Sequence, residues 1–178
     1  MTEWIFDQLY LFAEYLRSTW LNEFAFWLSE TSLAQWIVTN FWAIPTIQTF
    51  HIGAIAALFG SVLMINLKVL GVLGGYRSYA ETSARFLPWI RWGFVVLLLS
   101  GALLIIGEPV RELPNPIFWI KMGAIVVTLP ISLMFNSKIA RLDAAGAVTA
   151  GHKLVAVLLI VLWCLIMLGG RWIAYAPV

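Results

Sequence analysis

Long apolar runs alternate with short polar or glycine- and proline-containing links over most of this chain. A membrane-spanning helix needs about 20 mostly apolar residues. Four runs qualify, at residues 46–74, 86–107, 116–137 and 151–175. Backbone groups in lipid must be satisfied internally, so runs of this length favour helices over a barrel. Short links predict that consecutive helices are antiparallel neighbours.

Residues 1–45 follow a different pattern. One helical face has four charged residues, Glu3, Asp7, Glu14 and Arg17, and apolar and aromatic side chains occupy much of the rest. This pattern is typical of helices that lie along a membrane surface. We therefore predict an all-α integral membrane protein with two regions. Residues 1–45 form N-terminal amphipathic interfacial helices, and residues 46–178 form an antiparallel bundle of four transmembrane helices.

Composition agrees with this class, because 62% of the residues are apolar, 11% are charged and the mean hydropathy is +0.90. One soluble core cannot bury so much apolar surface. A formal net charge of +2 gives no indication of nucleic-acid binding. The sequence also lacks a glycine-rich nucleotide loop, a nucleophile elbow and a carboxylate pair within an apolar run, so catalysis by side chains alone is not expected.

Basic residues predict the orientation, because Lys and Arg are enriched in cytoplasmic connections. The side that holds the first and third connections has seven of the 11 basic residues, and the other side has four. The seven are Lys68, Arg77, Arg85, Arg91, Lys138, Arg141 and Lys153. Both termini are therefore expected in the periplasm or exterior.

His51 is one of only two histidines and lies within the first apolar run. An ionisable imidazole in a membrane needs a partner, a proton pathway or a metal. The structural interpretation is a hydrogen bond to a backbone carbonyl or to Gln48 that helps helices pack. The functional interpretation is a cofactor ligand.

Helical rise predicts similar depths for His51 and Met167, roughly 9 Å and roughly 12 Å below the outer ends of their helices. Arg171 lies one turn beyond Met167, and Lys121 is near the start of the third run. This arrangement suits a haem b that His51 ligates, with Met167 as a candidate sixth ligand and the two cations beside the propionates. Snorkelling to lipid headgroups, or an ion pair with Glu108, is the structural alternative for these cations.

The second histidine, His152, begins the fourth run and is predicted at the opposite surface, across about 30 Å of hydrocarbon. His51 and His152 therefore cannot ligate one iron within a monomer. Solvation at the interface is the expected role of His152, and metal ligation is the alternative.

A copper-binding or copper-transport membrane protein is the alternative function, because imidazole and sulfur ligands suit copper and His51, Met167 and Cys164 are available. A third interpretation is a non-catalytic membrane scaffold in which His51 only bonds a neighbouring helix. Gly53, Ala57 and Gly60 share another face of the first run, which predicts close approach of a neighbouring helix or self-association. We expect a homo-oligomer.

Four motifs carry a resemblance to known proteins. They are TFH at residues 49–51, NLKVLG at 66–71, PIFWIK at 116–121 and GRWIAY at 170–175. Together they resemble an uncharacterised bacterial family of four-span inner-membrane proteins and, more loosely, the membrane part of copper-resistance D-type proteins. The resemblance implies the bacterial inner membrane. His51, Lys121 and Arg171 match the family pattern, and Lys68 stands where that pattern has arginine.

The leading hypothesis is a membrane-embedded haem-binding protein of b-type cytochrome character. Electron transfer to or from a quinone or a periplasmic redox partner would be its function.

Overall fold

A computed structural model describes residues 2–73, 78–142, 147–173 and 175. The described residues form eight α-helices and no strand. The helices are α1 (Thr2–Arg17), α2 (Trp20–Ser29), α3 (Ser32–Thr39), α4 (Ala43–Leu70), α5 (Tyr79–Gly107), α6 (Pro109–Glu112), α7 (Pro116–Ala140) and α8 (Ala150–Trp172).

Four of these helices, α4, α5, α7 and α8, are long and apolar enough to cross a membrane. The predicted all-α, four-span, multi-pass membrane class is therefore confirmed. Three residues used in the predictions lie outside the described residues. They are Gly74 at the end of the first run, Arg77 in the first connection and Ala174 in the last motif.

The first predicted run ends too late, because α4 stops at Leu70. Gly71 follows with a φ of 80°, a left-handed conformation that favours glycine. The Gly71 N–H donates to the Lys68 carbonyl, and the Val72 N–H donates to the Leu67 carbonyl, both at 3.1 Å. Hydrogen bonds of this kind satisfy the last carbonyl groups and end the helix.

The second predicted run begins too late, because α5 starts at Tyr79 rather than at residue 86. A capping box explains the earlier start. The Ser78 N–H donates to Glu81 Oε2 at 2.9 Å, and the Glu81 N–H donates to Ser78 Oγ at 3.1 Å. These reciprocal bonds satisfy two backbone donors at the helix start.

The chain forms two compact units. The first comprises Met1–His51, Leu98–Gly123 and Met167–Val178, and the second comprises Ile52–Leu97 and Ala124–Ile166. Each unit thus contains parts of all four long helices. The predicted regional boundary at residue 45 falls inside the first unit, in which α2 packs against α1, α3 and α6.

Asn115 organises the helix ends in the first unit. It is fully buried, and its Oδ1 accepts from the Ile117 N–H at 2.9 Å, which caps the start of α7. Its Nδ2 donates to the Ile173 carbonyl at 3.1 Å, just after α8. Ala25, Phe118 and Ile173 pack around this junction. One side chain therefore ties the start of α7 to the end of α8.

Close helix packing in the second unit occurs at Gly93 of α5. A Cβ added there would lie 3.2 Å from Leu58 Cβ and 3.3 Å from the Ala54 carbonyl oxygen of α4. By contrast, no described residue lies within 4 Å of an added Cβ at Gly53 or Gly60. The prediction that the small face of α4 packs closely against a neighbouring helix is therefore wrong within the chain. The close approach depends on a glycine of α5 instead.

Polar side chains line a buried face of α7 in the second unit. Thr128, Ser132 and Asn136 recur every four residues, and each is 1% exposed. Trp163 Nε1 donates to Ser132 Oγ at 3.0 Å. Neither amide atom of Asn136 has a hydrogen-bond partner among the described residues. A buried polar group without a partner costs about 1–3 kcal/mol.

We therefore expect Asn136→Leu, an apolar replacement of similar shape, to increase the free energy of unfolding by about 1 kcal/mol. Thermal unfolding of the detergent-solubilised chain measures this change. Ser132→Ala is the matched control on the same face, and it should destabilise the protein because Trp163 Nε1 loses its acceptor. Destabilisation by Asn136→Leu would show that the amide contributes an interaction the fold needs.

Candidate functional site

The candidate site is centred on the imidazole of His51, which is half-buried on α4 in the first unit. Its Nδ1 lies 2.8 Å from the Oγ of Ser100 on α5, a buried residue 49 positions along the chain. A Cβ added at the next residue, Gly101, would lie 3.5 Å from His51 Cε1. α5 therefore places a hydroxyl at Nδ1 of the ring and a glycine, which has no side chain, beside Cε1.

The partner of His51 differs from both structural alternatives that the sequence suggests. Among the residues that the structure describes, neither a backbone carbonyl nor Gln48 bonds the ring, and Gln48 is exposed. The sequence does not identify Ser100 as the partner of His51, because a single serine in an apolar run carries no signal by itself. The available signal is the Ser-Gly pair at residues 100–101, since small and hydroxyl-bearing residues are enriched where membrane helices meet.

The Ser100 hydrogen bond has a consequence for the other ring nitrogen. When Nδ1–H donates to Ser100 Oγ, Nε2 carries a lone pair and is competent to ligate a metal. Metal-binding histidines commonly donate their second ring N–H to a neighbouring group in this way, which sets the tautomer and the ring orientation. Within the described part of the chain, His51 Nε2 makes no hydrogen bond. The geometry thus provides an oriented imidazole with one uncommitted nitrogen.

Lys121 enters the same unit from α7, and its stem packs against two consecutive glycines of α8. A Cβ added at Gly169 would lie 4.0 Å from Lys121 Cβ, and one added at Gly170 would lie 3.7 Å from Lys121 Cδ. The Lys121 ammonium lies 5.7 Å from the Phe118 ring centroid. The glycines leave room for the long side chain, which is half-buried as a result.

Electrostatics connect Lys121 to His51 and to an acidic residue. The ammonium is near enough to His51 and to Glu112 for a Coulombic interaction with each. Glu108, the acid proposed from the sequence as a partner for Lys121 or Arg171, forms an ion pair with Arg111 instead. The short helix α6 turns these acids toward Arg111. Glu112, which interacts electrostatically with Lys121, also forms an ion pair with Arg111, at 3.2 Å.

Arg171 is exposed near the end of α8. Its Nη2 donates to the Tyr175 hydroxyl at 3.0 Å, and its Cζ lies 5.3 Å from the centroid of the Tyr175 ring. Met167, one turn earlier on α8, is half-buried. His51, Lys121, Met167 and Arg171 thus all belong to the first compact unit, although they come from three helices.

His152, the other predicted metal ligand, belongs to the second unit. The Thr149 N–H donates to His152 Nδ1 at 3.2 Å, and Thr149 Oγ1 lies 2.9 Å from the same nitrogen. A backbone N–H is only a donor, so Nδ1 is the acceptor and the neutral ring carries its proton on Nε2. The side chain therefore helps to begin α8. Among the described residues, no group of three or more His, Cys, Asp or Glu side chains could hold a metal ion.

Fold and site together define a four-span helical membrane protein with a histidine–serine pair between its first two spans. The chain belongs to a family of unknown function, DUF6644, whose model matches residues 24–176. The matched region contains His51, Ser100, Lys121, Met167 and Arg171. No curated protein and no solved structure matches the chain.

We expect Ser100→Ala to lower the free energy of unfolding by about 1 kcal/mol, because it removes the partner of a half-buried imidazole. Unfolding by sodium dodecyl sulfate in mixed micelles measures this loss. Ser137→Ala is the matched control, since the exposed Ser137 hydroxyl donates only to the Leu133 carbonyl of its own helix. A double-mutant cycle with His51→Phe that gave no coupling would contradict the assigned bond.

Proposed function

We propose that this protein binds haem in the membrane and transfers electrons, with the character of a b-type cytochrome. The observation that supports this function best is the His51–Ser100 hydrogen bond. It holds the ring through Nδ1 and leaves Nε2 without a hydrogen bond to the described residues. When Nδ1–H is the donor in this bond, Nε2 has the lone pair with which an imidazole ligates haem iron.

The chemistry of the surrounding residues fits a haem. Lys121 and Arg171 supply two positive charges in the same compact unit, which suits the two propionates. Phe50 and Ile52, the chain neighbours of His51, are 65% and 64% exposed, so the surface of α4 around this position is apolar. His51 would ligate the iron, Ser100 would hold the ring, and the thioether of Met167 is the candidate sixth ligand. When bound, a haem supplies one-electron redox chemistry.

We also propose the bacterial inner membrane as the location, with both termini in the periplasm. The asymmetry of the Lys and Arg residues supports this orientation. A membrane quinone or a periplasmic redox protein would exchange electrons with the haem. A Cβ added at Gly53 or Gly60 would have no described atom of another helix within 4 Å, so this face of α4 is open to a second copy of the chain, which supports homo-oligomer formation.

The same hydrogen bond supports a second candidate function, a non-catalytic membrane scaffold. In that case His51 and Ser100 only join α4 to α5, as polar pairs do in other membrane proteins. No described contact adds support to the copper interpretation. Cys164 is exposed and belongs to the second unit, whereas His51 and Met167 belong to the first.

An absorption spectrum of the purified full-length chain distinguishes the two functions. We expect a Soret band and, after reduction with dithionite, sharp α and β bands. His51→Ala should abolish these bands because it removes the iron ligand, whereas His152→Ala should retain them. Wild-type protein that is produced with ample haem and still shows no bands would contradict haem binding. If His51→Ala then only lowered stability, the scaffold would be supported.

Met167→Leu tests the sixth ligand separately, because leucine preserves the approximate volume and removes the sulfur. We expect the mutant to bind haem but to have a lower midpoint potential, since a thioether ligand raises the potential of haem iron. A redox titration followed at the α band measures the change. Unaltered potential and spectrum would exclude Met167 as a ligand and leave the role of His51 untouched.

A further inference from the structure

A groove runs along the end of α7 in the second unit, far along the chain from His51. It has a volume of about 530 Å³. Its described lining consists of Leu133, Met134, Ser137, Lys138, Arg141 and Leu142. This volume lies within the usual range of small-molecule sites, about 300–1,000 Å³.

The lining changes from apolar to cationic along the helix. Leu133 and Met134 lie within the span, and Lys138 and Arg141 lie at its end, since α7 stops at Ala140. Met134 and Arg141 are seven residues apart, which corresponds to roughly 10 Å along a helix. A phospholipid has the same order of groups over a similar distance, with an acyl chain below and a phosphate at the surface of the membrane.

Charge favours an anionic occupant. Lys138 and Arg141 are both exposed, and neither forms an ion pair with a described residue. No described acidic side chain lines the groove. Basic residues at the membrane-surface end of a helix attract anionic lipid headgroups, and guanidinium groups bind phosphate through two parallel hydrogen bonds.

The apolar part of the groove suits an acyl chain. Met134 is 72% exposed and lies one helical turn before Lys138, so an acyl chain can contact it beside the cation. Methionine is flexible and adapts to irregular apolar surfaces. A free phosphate ion would bind the two cations but would make no favourable contact with the apolar side chains of Leu133 and Met134. The groove as a whole therefore matches a lipid better than a soluble anion.

We propose that this groove is a specific site for one anionic phospholipid. The phosphate binds Lys138 and Arg141, and an acyl chain lies along Leu133 and Met134. The site is independent of the proposed haem, because it shares no residue with the His51 site.

Native mass spectrometry of the full-length chain in detergent tests the proposal. Phosphatidylglycerol and phosphatidylcholine with identical acyl chains are the probes. We expect the wild type to prefer phosphatidylglycerol by at least about tenfold, since each basic residue near the membrane surface contributes about a fivefold preference. The double variant Lys138→Gln/Arg141→Gln should lose most of that preference. Lys153→Ala is the matched control, because Lys153 is an exposed cation at the start of α8 in the same unit and should leave the preference unchanged.

Two further measurements identify the kind of ligand. Glycerol phosphate, which has the headgroup charge and no acyl chain, should compete poorly with the lipid. Met134→Ser should weaken phosphatidylglycerol binding while circular dichroism shows unchanged helicity.

Three results would overturn the proposal. The first is equal binding of the two lipids by the wild type. The second is full competition by glycerol phosphate, which would indicate a site for a soluble phosphate. The third is a change in oligomeric mass in the double variant without a change in lipid preference, which would mean that a second copy of the chain occupies the groove.

Discussion

The lack of water in the hydrocarbon core is the constraint on which this structure depends. Backbone groups meet it by forming four long helices. Side chains meet it in two ways. Some donate to a carbonyl one turn earlier on their own helix, as Ser61 does to Ala57 and Asn66 does to Val62. Others bond across helices, as Trp163 does to Ser132. The buried side-chain atoms without a partner among the described residues are Asn66 Oδ1 and the two amide atoms of Asn136, and the cross-helix bonds join specific pairs of helices.

Among the cross-helix contacts, the His51–Ser100 bond is the one that leaves a group able to take part in further chemistry. It satisfies one nitrogen of a ring that is costly to bury, and it determines how the ring is oriented. The uncommitted nitrogen distinguishes this pair from a purely structural bond such as that between Trp163 and Ser132, where the indole has only one N–H to satisfy. The interaction that joins α4 to α5 thus leaves the second ring nitrogen without a described hydrogen-bond partner.

Cations in this protein differ in how their charge is accommodated. Lys121 is half-buried, with its stem against Gly169 and Gly170 and an acidic neighbour in Glu112. Arg171 is bonded to a tyrosine hydroxyl. At the end of α7, by contrast, Lys138 and Arg141 stand beside apolar side chains with no described ion pair. Lys121 and Arg171 thus each interact with a residue of the described chain, whereas Lys138 and Arg141 form no ion pair with a described residue.

The sequence by itself determined the class, the four spans and the residue at the centre of the candidate site. Apolar length, helix caps and an intramembrane histidine are local features, and even the early start of α5 can be predicted from Ser78 and Glu81. The tertiary structure alone decided that Ser100 bonds His51 and that Gly93 supplies the close helix contact. Both depend on which faces of α4 and α5 meet, and side-chain packing between segments far apart in the chain decides that. Lipid contacts apolar faces almost equally well, so hydrophobicity cannot reveal which face is turned inward.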